Sequence, residues 1–391
     1  MKVFHRILFL TIGTWTALST SAVVEIVSPS NGEIVPLLNE LQKSVAATPS
    51  PDVRERYLAG YKTGALKKVA SAQNEFLEGK EDCVWRQSLP VSFVWRTTKG
   101  ERGPWTLSVA TKADFSDGHA VMVPAESAGF VWTNANLMAG VAYRWRVTAA
   151  GGECAEADFR TEDALPRLIG IEGRVANIRD LGGYRTDDGR RVRQGLVYRG
   201  QGLNDNSMDG KKQGKSRLTS ADRDYLTKTL GIRTDLDLRS RRETAGMTAS
   251  PMGASVRFIN RASPDYAAIF KPSGMKTMAD NFRVFCNRAN YPIYFHCIAG
   301  ASRTGSLAYV LNGLLGVPKR LVEIDWEFTY YPDVPDGEKE RRGLRHFDDG
   351  FGAYGRPGDS LSKRIELYLL NCGVTEKEIA EFRNIMLEQC N

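Results

Sequence analysis

A cysteine and an arginine separated by five residues form the most chemically informative part of this sequence. Cys297 and Arg303 lie in the string His-Cys-Ile-Ala-Gly-Ala-Ser-Arg-Thr-Gly, residues 296–305. A thiolate is a strong nucleophile, and a guanidinium binds two phosphate oxygens at once through its planar fork. The chemistry that this pair predicts is attack of the sulfur on a phosphate group that the arginine holds.

The elements on either side of the string would present it to an anion. A short apolar strand ending in Tyr294 and Phe295 enters it, and a helix with one apolar face leaves it. Backbone N–H groups at a helix N-terminus point toward a bound anion and lower the pKa of a nearby thiol. We therefore predict phosphate binding by the loop residues Ile298, Ala299, Gly300, Ala301, Ser302 and Arg303. The alternative is a buried structural cysteine with Arg303 in a surface ion pair.

Strands alternate with helices from residue 166 to residue 391, which predicts an α/β domain with a mostly parallel sheet flanked by helices. The predicted strands are Asp235 to Leu238, Val256 to Asn260 and Pro292 to Phe295. The predicted helices are Ser220 to Thr229, Met278 to Arg288, Thr304 to Leu315 and a pair after Ser360. The charged, Gly-rich stretch from Pro332 to Asp359 is predicted as a long loop, either a lid over the site or a disordered segment.

Residues 23–162 have a different sequence pattern, strand-like segments separated by turns, which is typical of an all-β sandwich. The predicted strands are Pro90 to Thr98, Trp105 to Ala110 and Tyr143 to Thr148, with a helical insert at about Pro51 to Gly79. Cys83 and Cys154 flank this sheet, and they either form a disulfide in an oxidising compartment or remain two thiols. Residues 162–166 are the predicted linker to the α/β domain.

Residues 1–22 have the layout of a secretory signal peptide: a basic start, about 12 apolar residues and small residues before a cleavage point. The apolar stretch is shorter than the roughly 20 residues that span a bilayer, so an anchor helix is the weaker alternative. We expect cleavage, a secreted or periplasmic protein and no membrane span in the mature chain. The sequence does not predict the oligomeric state.

The composition of the 391 residues excludes several classes of function. The chain has 53 Lys and Arg against 46 Asp and Glu, a formal net charge of +7. Its basic residues do not form the concentrated stripe that a nucleic-acid-binding protein would need. Only four His and six Cys are present, without a Cys-x-x-Cys pair, so we expect neither a metal ion nor a cofactor.

The string at residues 296–305 resembles the active-site loop of the cysteine-dependent protein tyrosine and dual-specificity phosphatases. A second string, residues 177–184 (Asn-Ile-Arg-Asp-Leu-Gly-Gly-Tyr), resembles the opening of the bacterial tyrosine phosphatase branch, as do residues 237–240 and Glu243 after them. The stretch from Leu137 loosely resembles a fibronectin type III domain. The phosphatase resemblance implies that Cys297 is the nucleophile and Arg303 the phosphate clamp. It also implies that Thr304 donates a hydrogen bond to the sulfur, and that His296 orients the loop and lowers the thiol pKa.

A general acid must come from outside the loop, because Ala301 and Ser302 replace the Lys and Asp that the bacterial branch often has there. Asp265 is our candidate, since it follows a predicted strand and precedes Cys297 by 32 residues. A plain turn residue is the alternative for Asp265, and Asp280 is the rival acid.

Five further residues in or near these motifs have roles that the sequence leaves open. Arg199 and Arg239 each end a strand-like stretch, from which either could reach the phosphate. We interpret Asn177 as part of a turn. We interpret Arg179 and Asp180 as an ion pair that fastens the first strand, so that all three residues have structural rather than catalytic roles.

Together these features predict an exported protein tyrosine phosphatase, with dual specificity left open, that works through a phosphocysteine intermediate. The expected partner is a phosphorylated protein or a small phosphomonoester. Two alternatives remain open: a phosphoinositide or inositol-phosphate phosphatase, and a non-catalytic phosphate-binding adhesion protein. A sulfur-transfer enzyme fits the residues around Arg303 poorly.

Overall fold

The computed structural model describes residues 24–39, 42–43, 88–97, 103–133, 135–173, 175–205, 214–329 and 337–389. The predicted signal peptide, the predicted helical insert and Cys83 lie outside these residues. The described chain forms an all-β N-terminal region and a C-terminal α/β domain. None of the described helices has both the length and the apolar character that crossing a bilayer requires.

Two β-sheets make up the N-terminal region. One contains β1 (Val24–Ser28), β3 (Val91–Thr97) and β6 (Gly129–Trp132) in the order β1-β3-β6. The other contains β2 (Glu33–Val35), β4 (Trp105–Ala110), β5 (His119–Val123), β7 (Ala142–Ala149) and β8 (Cys154–Thr161) in the order β2-β8-β7-β4-β5. All pairings are antiparallel except β2 with β8.

The two sheets share one core. In β3, the alternate residues Val91, Phe93 and Trp95 are buried, whereas Ser92 and Arg96 are exposed, because successive side chains of a strand point to opposite faces. The buried residues of the second sheet pack into the same cluster. All three predicted strands of this region are present. Its likeness to a fibronectin type III domain stays a prediction, and Cys154 is an exposed free thiol.

The C-terminal domain is built on a five-stranded sheet with the order β12-β11-β13-β10-β9. Its strands are β9 (Arg179–Asp180), β10 (Val197–Gly200), β11 (Thr234–Asp237), β12 (Arg257–Asn260) and β13 (Ile293–His296). All neighbours are parallel except the short edge strand β9, which pairs antiparallel with β10. This agrees with the predicted mostly parallel sheet, and β13 lies at its centre, so the chain that follows β13 leaves the middle of the sheet.

Seven α-helices accompany the sheet in the described residues: α1 (Ser220–Asp224), α2 (Pro272–Phe285), α3 (Ser302–Leu314), α4 (Lys319–Phe328), α5 (Gly337–Gly352), α6 (Leu361–Asn371) and α7 (Glu376–Met386). A π-helical turn over Tyr225–Thr229 continues α1. Helix α2 begins six residues earlier than predicted, since Pro272 occupies a first-turn position where its missing N–H costs nothing.

The prediction of a loop from Pro332 to Asp359 is wrong for residues 337–352, which form α5. Leu344, Phe347 and Phe351 lie three and four residues apart on this helix and are buried. The rings of Phe347 and Phe351 stack on Tyr309 of α3, at centroid distances of 4.5 and 5.9 Å. This aromatic packing stabilises a helix whose glycines and charges disfavour it locally.

Polar contacts join the two regions directly. The Gln194 side chain accepts a hydrogen bond from Ala139 N and donates one to Ala139 O, each at 2.9 Å. Arg191 donates to the same carbonyl and pairs with Asp163 of the linker. A side chain of the α/β domain therefore completes the backbone hydrogen bonding of a loop in the β region.

Candidate active site

The loop of residues 297–301 connects the central strand β13 to α3. All four residues of β13 are buried, and parallel β10 and β11 flank it on both sides. Gly300 has φ of +70°, and a side chain there would collide with the carbonyl group of Gly200 at the end of β10. The loop thus requires glycine at position 300 both for its backbone conformation and for its close approach to β10.

The Cys297 side chain lies at the bottom of this loop and is buried. Burial by itself raises the pKa of the thiol. The hydrogen-bonding groups of Thr304, the charge of Arg303 and the backbone of Gly300 outweigh that effect, so the pKa of Cys297 lies below its ordinary value. The site therefore favours the thiolate, the reactive form of cysteine.

The Thr304 hydroxyl has no oxygen or nitrogen partner among the described residues, although it is fully buried. It lies in the first turn of α3 and is the side chain that contributes most to lowering the pKa of Cys297. A buried hydroxyl without another partner is available to donate to a negatively charged sulfur.

We expect Thr304→Ala to raise the pKa of Cys297 by about 1–2 units, because a hydrogen bond to a charged group is worth about 1.5–3 kcal/mol. A thiol with a lowered pKa stays reactive as the pH falls until it is protonated, so the variant should lose its reactivity at a higher pH. The measurement is the rate of Cys297 alkylation by iodoacetamide against pH, followed by mass spectrometry. Thr277→Ala, which removes a hydroxyl from α2, should leave the midpoint unchanged. An unshifted midpoint in Thr304→Ala would exclude this role.

Arg303 is held beside the sulfur by a carboxylate from another part of the chain. Its Nη1 and Nη2 donate to Glu243 at 2.8 and 2.9 Å, and Glu243 also accepts a hydrogen bond from Ser240 N at 2.7 Å. The hydrogen bond from Arg303 lowers the pKa of Glu243 to about 2. This two-pronged pair fixes the guanidinium plane and leaves its remaining N–H groups for a bound anion. The sequence pointed to Glu243 only as part of a motif.

His296, the last residue of β13, supports the loop from the end of the strand that enters it. Its Nε2 lies 2.9 Å from Asp235 Oδ1, its Nδ1 lies 3.1 Å from Cys297 O, and Asp237 is 3.8 Å away. Burial lowers the pKa of His296, but the two carboxylates raise it more, so its pKa lies above the ordinary value. Because a carbonyl oxygen only accepts hydrogen bonds, Nδ1 donates to Cys297 O, and this contact orients the loop backbone.

A buried group of three charged side chains holds the loop from the other side. Asp325 of α4 accepts from Arg179 Nε at 2.7 Å and from Arg199 Nη1 at 2.6 Å, and all three residues are almost completely inaccessible. Arg199 Nη2 then donates to Gly300 O at 2.8 Å. Asn177 Nδ2 donates to the same carbonyl at 3.2 Å. The motif near residue 177 therefore helps to position the loop of residues 297–301.

The expected ion pair between Arg179 and Asp180 is not formed. Asp180 instead pairs with Arg167 at 2.6 Å and accepts hydrogen bonds from Gly182 N and Gly195 N. Neighbouring residues of a strand point to opposite faces, so these two side chains find separate partners. The other arginine considered, Arg239, is buried against Asp237 and Asn204 and makes no hydrogen bond to the loop among the described residues.

Asp265 lies next to the site, as its proposed role requires. It occupies the N-cap position of a short 3₁₀ turn, Tyr266–Phe270, and after Glu243 its negative charge contributes to raising the pKa of Arg303. Its carboxylate makes no hydrogen bond within the described residues. The turn is attached to the loop helix, since Tyr266 N donates to Ser306 Oγ at 3.1 Å and Tyr266 Oη to Ser302 Oγ at 3.0 Å. The rival Asp280 is instead paired with Arg283 on α2.

Comparison with known proteins matches the region that contains these residues. Residues 172–342 match the family described as the tyrosine phosphatase family. A tyrosine-protein phosphatase of Nostoc commune is 28% identical over 218 residues, which cover 43% of this chain and 70% of that protein. The chain is a phosphoric monoester hydrolase.

A solved structure also aligns with this hydrolase: the core catalytic domain of the PP-IP phosphatase SIW14 from S. cerevisiae, in complex with citrate. The identity is 14% and the TM-score 0.27, with 39% of the hydrolase and 82% of that chain covered. The family match begins after the all-β region. It includes Asn177, Glu243, Asp265 and the whole string of residues 296–305.

Proposed function

We propose that the chain is an exported protein tyrosine phosphatase that hydrolyses aryl phosphomonoesters through a phosphocysteine intermediate. The observation that carries the proposal is the buried Cys297, whose pKa is lowered in a loop of backbone amides beside a guanidinium held in a fixed plane. A protein that only bound phosphate would need the amides and Arg303 but no activated thiol.

In the first step, the Cys297 thiolate attacks phosphorus, and the bond between phosphorus and the aryl oxygen breaks. The protonated form of Asp265 gives its proton to the leaving phenolate. Arg303 and the N–H groups of the loop hold the three non-reacting phosphate oxygens, which carry the charge of the transition state.

In the second step, water attacks the phosphocysteine, and the Asp265 carboxylate accepts its proton. The sulfur–phosphorus bond breaks, inorganic phosphate leaves and the thiolate returns. The unpartnered Thr304 hydroxyl stabilises the departing sulfur by donating a hydrogen bond to it.

An aryl substrate is supported by the aromatic residues beside the loop. The Tyr266 ring contacts Ser302 through its hydroxyl and packs edge-on against Trp326 and His346, at centroid distances of 5.7 and 6.5 Å. A phenyl ring attached to the bound phosphate would pack against the half-buried Tyr266 ring, which the buried Trp326 holds in place. Position 301 is alanine and position 302 serine, so the loop itself offers no lysine for the extra phosphates of an inositol ring.

The test is a hydrolysis series with a phosphotyrosine peptide, a phosphothreonine peptide, a phosphoinositide and phytate, in reducing buffer with EDTA. We expect kcat/KM to be highest for the phosphotyrosine peptide. A higher value for either inositol compound would replace our proposal with the inositol-phosphate alternative. Absence of hydrolysis of all four would support the non-catalytic binding protein.

Asp265→Asn tests the general acid. We expect kcat to fall about a hundredfold or more with phenyl phosphate, whose leaving group needs a proton, and much less with 4-nitrophenyl phosphate. Asp280→Asn is the matched control and should keep near-normal rates with both substrates. Equal losses with both substrates in Asp265→Asn would mean that this carboxylate does not protonate the leaving group.

The proposal of export rests on residues 1–22 and includes a fibronectin type III-like sandwich as the N-terminal module of the mature protein. Mass spectrometry of the protein recovered from its native compartment would test the cleavage. We expect a mature N-terminus at Val23, and an intact N-terminus would contradict export with cleavage.

A further inference from the structure

A second cleft lies between the all-β region and the α/β domain, away from the catalytic loop. Its volume is about 760 Å³. The β region contributes Met138, Gly140 and Val141 to one wall. On the opposite wall, Leu196, Arg233 and Pro292 each precede a strand of the catalytic sheet, namely β10, β11 and β13. The cleft therefore sits at the amino ends of the parallel strands, whereas Cys297 follows their carboxyl ends.

The charges that line this cleft are unbalanced. Among the residues that the structure describes, four arginines line it, Arg191, Arg193, Arg233 and Arg288, against the single carboxylate of Glu388. Within the described part of the chain, only Arg191 of the four has an ion-pair partner, Asp163. Arg233 and Arg288 are exposed, so the cleft presents guanidinium groups to solvent at its opening.

Arg191 adds a second, independent observation. Its side chain is 10% exposed, and its Nη2 is occupied by Ala139 O and Asp163. Its Nε, however, is buried and has no hydrogen-bond partner in the described residues. A buried donor without a partner costs free energy, so the present partners of Arg191 do not fully satisfy its guanidinium.

We propose that this cleft binds an organic anion with two or more phosphate groups on an apolar body. Guanidinium forks match phosphate oxygens, and three of them without carboxylate partners suit more than one phosphate. The volume is far larger than a single phosphate ion and falls within the roughly 300–1,000 Å³ of small-molecule sites. Met138, Val141, Leu196 and Ile385 offer apolar surface for the body of the ligand.

Such a ligand would contact both regions at once and would hold them together. The inference is independent of the proposed function, because none of the residues involved belongs to the catalytic loop or its supports. Strand β13 connects the two sites, since Pro292 lines the cleft at one end and Cys297 follows the other.

The probe for the experiment is ATP with EDTA, titrated by calorimetry into the full chain carrying Arg303→Met, which removes the guanidinium that would hold a phosphate at the loop of residues 297–301. We expect saturable binding below about 1 mM and weaker binding of pyrophosphate, which lacks an apolar body. The double variant Arg233→Glu/Arg288→Glu should weaken ATP binding about a hundredfold, since each charge-assisted contact is worth roughly tenfold in affinity. When Arg233→Glu/Arg288→Glu is made in the wild-type chain, without Arg303→Met, it should hydrolyse 4-nitrophenyl phosphate at the wild-type rate.

Lys276→Glu/Lys377→Glu is the matched control, because it makes the same change in net charge at exposed positions outside the cleft. It should bind ATP as its parent does. Equal weakening in both double variants, or no saturable binding of ATP, would overturn the proposal. If pyrophosphate bound as tightly as ATP, the proposal that the ligand carries an apolar body would be wrong. If Arg303→Met does not fold, the same titration with the wild-type chain alkylated at Cys297 decides between these outcomes.

Discussion

Cys297→Ser is expected to lower kcat for aryl phosphates by at least about ten-thousandfold. The wild-type site favours a thiolate, whereas a serine hydroxyl in the same loop stays protonated and is a far weaker nucleophile. The expected loss corresponds to about 5.5 kcal/mol of activation free energy. The measurement is steady-state hydrolysis of 4-nitrophenyl phosphate in reducing buffer with EDTA. Cys154→Ser, at the exposed free thiol that begins β8, is the matched control and should retain normal activity.

The same variant separates catalysis from phosphate binding. The loop amides and Arg303 remain in Cys297→Ser, so it should still bind tungstate, an oxyanion of similar shape to phosphate, as measured by calorimetry. Retention of more than about 1% of the wild-type kcat would contradict the phosphocysteine mechanism. Loss of tungstate binding together with activity would instead mean that the substitution had disturbed the loop.

Asp325→Asn is expected to destabilise the protein by about 3–5 kcal/mol, because it leaves Arg179 and Arg199 buried without a counter-charge. The amide keeps the shape of the carboxylate, so the loss reflects charge rather than packing. Burial raises the pKa of Asp325, but the two arginines lower it more, so its folded pKa lies below that of an unfolded chain. Its contribution to stability is therefore present at neutral pH and is lost as the pH falls through the folded pKa.

The measurement is urea unfolding at neutral pH, with Asp158→Asn as the matched control. Asp158 pairs with Arg144 through two hydrogen bonds of 2.7 and 3.1 Å, but this pair is exposed and solvent screens it, so its loss should change the unfolding midpoint far less. Equal unfolding midpoints for Asp325→Asn and the wild type would show that the buried pair contributes nothing.

We also expect Asp325→Asn to reduce activity in the fraction that remains folded. Arg199 donates to the carbonyl of Gly300, so a displaced Arg199 would release the loop that we propose holds the phosphate. The alkylation profile of Cys297 should then shift toward higher pH. This readout distinguishes a positioning role from simple loss of stability.

Several parts of this fold could be predicted because they depend on neighbouring residues. Helix α3, predicted from Thr304 to Leu315, forms over Ser302–Leu314, since its apolar spacing and the Gly316 stop signal are both local. Strands β11, β12 and β13 lie within two residues of their predicted positions. The loop between β13 and α3 was predictable for the same reason, because Cys297 and Arg303 lie in one short string.

Other parts depend on residues far apart in the chain. Helix α5 forms because Phe347 and Phe351 pack on Tyr309, and no local signal in a glycine-rich, charged stretch indicates that contact. Nothing in the sequence indicates a role for Asp325, since an aspartate on a helix is ordinarily exposed to solvent. Only its burial between Arg179 and Arg199 gives it a role.

By itself, the sequence determined the alternation of strands and helices and the short loop between β13 and α3, in which it predicts the nucleophile and the phosphate-binding residues. These depend on backbone conformation and on residues a few positions apart, so composition and spacing are sufficient to specify them. The tertiary structure decided which charges pair: Glu243 with Arg303, Asp235 with His296, and Asp325 with two arginines. Each of these pairs joins residues 60 or more positions apart, and only the packing of the sheet and its helices selects one partner among many of the same charge.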